Sequence, residues 1–103
     1  MKASEILIKA KRLISKPERW TQGWFARDEN MVEVTSRSTT ARCWCAAGAI
    51  TKVAQRESYN EALYYLVQAV GGGMISTFND SSLHNQVLAA FDRAIELAKK
   101  ENN

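Results

Sequence analysis

No stretch of this sequence stays apolar for the roughly 18 residues that a membrane span requires. Its start, Met1-Lys2-Ala3-Ser4-Glu5, carries an acid and turns amphipathic at once, unlike a secretory leader. Together these absences predict a cytoplasmic protein with no membrane partner. Histidine occurs once, at His84, and the cysteines are only Cys43 and Cys45. That set falls short of the four ligands of a structural zinc site, so no metal is expected. Residues two apart on a helix point in different directions, so the C-x-C pair is not expected to form a disulfide. Gly71-Gly72-Gly73 lacks the following Lys-Ser/Thr of a phosphate loop, and no nucleotide fingerprint or other cofactor motif is present. Internal repeats and low-complexity linkers are also missing. With 103 residues, the chain reads as one domain, 1–103.

Charge is present but unevenly placed. The net charge is +3, and the first quarter of the chain holds more than all of the excess, the remainder being slightly acidic. Lys2, Lys9, Lys11, Arg12, Lys16, Arg19 and Arg27 stand there against Glu5 and Glu18. Such a run is commonly a solvated helix face, and it also suits nucleic acid or an acidic partner.

Periodicity predicts four principal helices. Ile6, Leu7, Ala10, Leu13 and Ile14 form one apolar stripe, with Ser4 as the candidate cap and Lys16-Pro17 as the stop. The organising stretch is Arg42-Cys43-Trp44-Cys45-Ala46-Ala47-Gly48-Ala49-Ile50, read as the start of a central helix over 41–55. Gly48 inside that helix implies close approach by a neighbour, for which Trp20 or Trp24 is the candidate. Ser58-Tyr59-Asn60-Glu61 has the form of a capping box for a third helix, which Gly71-Gly72-Gly73 ends. Leu83, Val87, Leu88, Phe91, Ala94, Ile95 and Ala98 mark the fourth, and residues 101–103 should fray. Between the first two helices, Trp20, Trp24 and Phe25 are expected to plug the side of the core. Residues 20–27 suit a short helical turn, and Met31-Val32-Glu33-Val34 a brief strand without an evident partner. The expected fold is therefore all-α, a compact four-helix bundle with an aromatic-rich irregular segment between helices one and two.

With these residues laid out, the chain resembles a family of small uncharacterised bacterial and phage proteins grouped as a domain of unknown function. The resemblance rests on Trp20-Thr21-Gln22-Gly23, Ala26-Arg27-Asp28, Trp44-Cys45-Ala46-Ala47-Gly48-Ala49-Ile50, Phe78-Asn79-Asp80, and Val87-Leu88-x-x-Phe91-Asp92-x-Ala94-Ile95. It spans about Ile6 to Ala98 and implies no settled activity or catalytic residue.

Three function classes fit the residues. The first is a small binding or protein-interaction module, such as a phage or mobile-element accessory factor, with Trp20, Gln22, Trp24, Trp44 and Asn79 against a protein partner. The second is a cysteine-dependent hydrolase or transferase. There Cys45 at a helix start would be the nucleophile, His84 the base, and Asp80 or Asn79 its orienting group. The third is nucleic-acid binding through the basic first helix with Trp20 and Trp24. Each has a structural counterpart. Free cysteines are commonly buried packing, and Asp80 suits a helix cap or a partner for backbone N–H groups. If Trp20, Gln22, Cys45, Asn79 and Asp80 cluster, they form a small polar cleft in an apolar wall. Oligomeric state is left open, with an apolar strip on helix three or four as the candidate dimer contact.

Overall fold

The computed structural model describes residues 1–103, except for the side chain of Glu57. In chain order the elements are α1 (Ala3–Leu13), a 3₁₀ turn (Pro17–Arg19), β1 (Ala26–Arg27), β2 (Glu33–Val34), β3 (Cys43–Trp44), α2 (Ala46–Val53), α3 (Arg56–Ala69), α4 (Ile75–Asp80) and α5 (His84–Lys100). No described helix is long and apolar enough to cross a membrane.

The all-α expectation is corrected: five α-helices accompany a three-stranded antiparallel sheet of order β2-β1-β3. The central stretch is where helix and strand divide. Arg42 N–H donates to the Arg27 carbonyl at 2.8 Å, and Cys45 N–H to the Phe25 carbonyl at 3.1 Å. These bonds hold Cys43–Trp44 extended against β1, in the register Ala26↔Trp44 and Arg27↔Cys43. Cys45 itself is extended (φ −78°, ψ 175°) and caps α2, its sulfur accepting from Gly48 N–H at 3.3 Å. The expected helix over 41–55 thus shrinks to eight residues. A buried strand and a buried helix are equally apolar, so an uncharged run does not distinguish them.

The short strand foreseen near Val34 exists and has a partner. Glu33 and Val34 pair with Arg27 and Ala26, not with a helical turn. Asp28 turns the hairpin, its Oδ1 accepting from Asn30 N–H at 2.9 Å and Val32 N–H at 3.0 Å. An aspartate that bonds to its own downstream backbone replaces the ladder through the turn.

Around this small sheet the helices bury a common core. The predicted α1 stripe holds, with Ile6, Leu7, Ala10 and Ile14 fully buried, and it meets Ile50, Leu66, Val87 and Phe91. Each large aliphatic or aromatic side chain so buried contributes about 1.5–3 kcal/mol. Lys2, not Ser4, precedes α1, and its N–H donates to Glu5 Oε1 at 2.9 Å. Asn103, expected to fray, docks instead on the first turn of α1. Its carbonyl accepts from Ser4 N–H at 2.7 Å and its Oδ1 from Ala3 N–H at 3.3 Å. Helix N-termini leave N–H groups without partners, and here the far end of the chain supplies them. α3 starts at Arg56, ahead of the expected box, and Ser58 Oγ donates to the Gln55 carbonyl. The triple glycine ends α3 as expected. Gly72 N–H reaches the Val67 carbonyl at 2.9 Å and Gly71 N–H the Gln68 carbonyl at 3.1 Å, a Schellman closure. The expected connector at 74–78 is the body of α4.

Candidate functional site

The site grows from one buried amide. Asn79 lies in the last turn of α4 and is fully buried. Its Oδ1 accepts from the Trp20 indole at 2.8 Å and from Ala46 N–H at 3.0 Å. Its Nδ2 donates to the Thr21 carbonyl and to Asp80 Oδ1, both at 3.0 Å. Gln22 Nε2 then donates to the carbonyls of Asn79 and Ser82, each at 3.0 Å. Asp80 Oδ1 also accepts from Gly23 N–H at 2.9 Å. Every buried side-chain nitrogen and oxygen among the described residues has a partner. A buried polar network is stabilising when it is complete in this way, and it fixes one geometry.

What that network fixes is the loop from Trp20 to Phe25. Gly23 takes φ +83°, a conformation that favours glycine. The Phe25 carbonyl is bound by Cys45 N–H and sits against Gly48. A Cβ at Gly48 would lie 2.0 Å from that carbonyl oxygen, which is a collision. Close approach at Gly48 was expected, but a backbone carbonyl makes it rather than an indole ring.

The rings carried by this pinned backbone point outward. Trp24 is 44% exposed and Phe25 46%, in edge-to-face contact with centroids 6.0 Å apart. The expectation that both plug the core is therefore corrected. Three hollows meet around Phe25. The largest, about 610 Å³, runs from Trp24 past Val34 and Thr51 to Tyr59, with Glu33 and Ser36 on its wall. A second, about 360 Å³, lies between Phe25, Tyr59, Leu63 and Met74. The smallest, about 230 Å³, is lined by Trp24, Phe25, Ser76, Cys45 and Asp80.

The residues singled out in the sequence divide accordingly. Trp20, Gln22, Asn79 and Asp80 do cluster, as supports bonded to one another, with Cys45 beside them. Asp80 receives the backbone of Gly23 and does not cap α5, whose flanking Leu83 N–H bonds to Gln86 Oε1 instead. Trp44 is buried, donating from its indole to the Ser36 carbonyl at 2.9 Å. Of the three indoles, Trp24 alone is classed as exposed. Cys45 and Asp80 share the smallest hollow, whereas His84 stands elsewhere. Its ring lies 5.2 Å from that of Trp20, and its Nε2 is 2.7 Å from the Ile14 carbonyl. Burial pushes the Cys45 thiol above its ordinary pKa, the Gly48 N–H only partly offsetting it. Cys43 is buried as well. No three His, Cys, Asp or Glu side chains gather among the described residues as a metal would need. Sequence reasoning missed Phe25 as a surface residue, and with it Tyr59, Ser76 and Met74. The Gly23-Trp24-Phe25 sequence held a hint, since a left-handed glycine beside two aromatics suits a loop that displays them.

The chain belongs to a family of unknown function, DUF6197, which matches it over residues 1–97. This agrees with the resemblance drawn from the Trp20, Trp44 and Phe78 segments. No curated protein and no solved structure matches the chain.

Proposed function

We propose that this protein is a binding module whose working surface is the aromatic rim of Trp24 and Phe25, taking an apolar segment of a partner protein. The observation that carries the reading is the contrast between the rings and their mounting. A buried amide, an aspartate, a glutamine and a glycine notch all serve to hold two aromatic rings half in solvent. Exposed aromatic surface is unfavourable in water, while a ring on a pinned backbone loses less entropy than one on a free loop when a partner covers it. Such rigid aromatic anchors dominate the energetics of interfaces. The three hollows around Phe25 offer seats for successive apolar side chains of one segment.

The cysteine-nucleophile reading draws less support. A nucleophile needs a lowered thiol pKa and a base within reach. Here burial raises the thiol, and the imidazole Nε2 is engaged by a main-chain carbonyl.

The test is selection from a displayed peptide library on the wild-type protein. The expected winners are rich in bulky apolar residues and bind the Trp24→Ser/Phe25→Ser variant at least about 10-fold more weakly, since losing one anchor commonly costs 2 kcal/mol or more. Thermal melting of the variant controls for folding. Winners that bind the folded variant as well as the wild type would remove the rim from consideration.

A further inference from the structure

We infer that the groove between α1 and α2 is a second site, which takes the phosphodiester backbone of a nucleic acid. It is about 500 Å³ in volume and shares no lining residue with the aromatic rim. Lys9 and Arg12 border it from α1 and Lys52 from α2, over Met1, Leu13 and Val53. All three cations are exposed. The ion pairs among the described residues are Lys11–Asp92 and Arg27–Glu33, which leaves Lys9, Arg12 and Lys52 without a carboxylate within 4.0 Å. Glu5, one turn before Lys9, is turned to the N–H of Lys2. Among the described residues no acidic side chain lines the groove, so it is cationic on both walls.

The ligand class follows from charge and spacing. Lys9 and Arg12 are three residues apart, or about 4.5 Å along the helix axis. That is comparable to the roughly 3.4 Å axial spacing of phosphates along one strand. Lys52 closes from the other side. Leu13 and Val53 are half-buried and packed on the core, and Met1 beside them is exposed. A bilayer is gripped by apolar side chains that protrude past the charges. Here one exposed methionine stands among three exposed cations, a balance that favours a phosphate strand. The contacts are to backbone, so binding is predicted to be indifferent to base sequence.

The experiment is filter binding of a labelled 12-nucleotide single strand and its duplex to the whole protein, across a salt series. Three phosphate contacts predict an affinity loss from 50 to 200 mM salt of about 20-fold for the single strand and about 40-fold for the duplex. Lys9→Gln/Arg12→Gln/Lys52→Gln should abolish retention at 50 mM salt. A control with the same net charge, Arg42→Gln/Lys99→Gln/Lys100→Gln, removes no cation that lines the groove and should still be retained. Equal loss in both triple variants would overturn the inference in favour of bulk charge. Absence of retention at 50 mM salt would overturn it outright. Sedimentation with phosphatidylserine vesicles, when oligonucleotides are not retained, would assign the groove to membrane instead. Trp24→Ser/Phe25→Ser should leave oligonucleotide binding unchanged, which keeps this result separate from that of the rim.

Discussion

The aromatic rim and the cationic groove both face solvent, yet the chain constructs them by different means. The rim stands on buried parts: Asn79 joins α4 to the Trp20 loop and to the start of α2, and Gly48 leaves room for the Phe25 carbonyl. The groove stands on two helix faces that would form without it, with long side chains laid on top. The rings of one surface are held by buried bonds, while the cations of the other are exposed and none pairs with a carboxylate among the described residues. A rigid display is therefore coupled to stability, while a charged one is free to vary.

Substitutions rank along that difference. Asn79→Ala should have the largest effect. It leaves the Trp20 indole, the Ala46 N–H and the Thr21 carbonyl without their partner, at about 3–5 kcal/mol in all. Denaturant unfolding measures this, and a loss below about 1 kcal/mol would erase the contrast. Gly48→Ala comes next, at about 2–4 kcal/mol, because the Phe25 backbone must move to admit one methyl group. If instead it stabilises the protein, as alanine does in an unhindered helix, the notch is not needed. Trp24→Ser should lower stability by about 1–2 kcal/mol while impairing peptide binding. The groove triple variant at Lys9, Arg12 and Lys52 should unfold within about 0.5 kcal/mol of wild type. A larger loss there would mean that the cations support the fold.

The smallest expected effect is a pH dependence at Cys45. Its thiol pKa is raised in the folded protein, so the unfolded chain ionises first as pH rises. Proton linkage then removes stability as pH climbs from the ordinary thiol range toward the folded value, and leaves it intact below. Cys45→Ala should flatten that alkaline decline in unfolding curves. A decline of the same depth in the variant would place its source elsewhere.

Much of the helical part was legible in the sequence. The α1 stripe, the α5 stripe and the glycine stop after α3 follow from period and turn chemistry, which are local. Of the sheet only β2 was legible, from the alternation in Met31-Val32-Glu33-Val34, while β1 and β3 are two residues long and show none. Only the pairing of Ala26–Arg27 with segments on both sides defines them, and pairing is not local. The clustering of Trp20, Gln22, Asn79 and Asp80 was anticipated as a cleft, but they are its mounting. Residue type alone does not say whether a polar side chain faces a ligand or a neighbouring loop. Trp24 and Phe25 show the same limit, because indole and phenyl rings serve a core and an interface equally well.

The three tryptophans occupy three distinct settings: Trp44 is buried on a carbonyl, Trp20 is half-covered on Asn79, and Trp24 lies open. An aqueous collisional quencher such as iodide will therefore dim Trp24 first and spare Trp44. Intrinsic emission from the unlabelled protein gives a direct optical gauge of whether anything has settled over the rim.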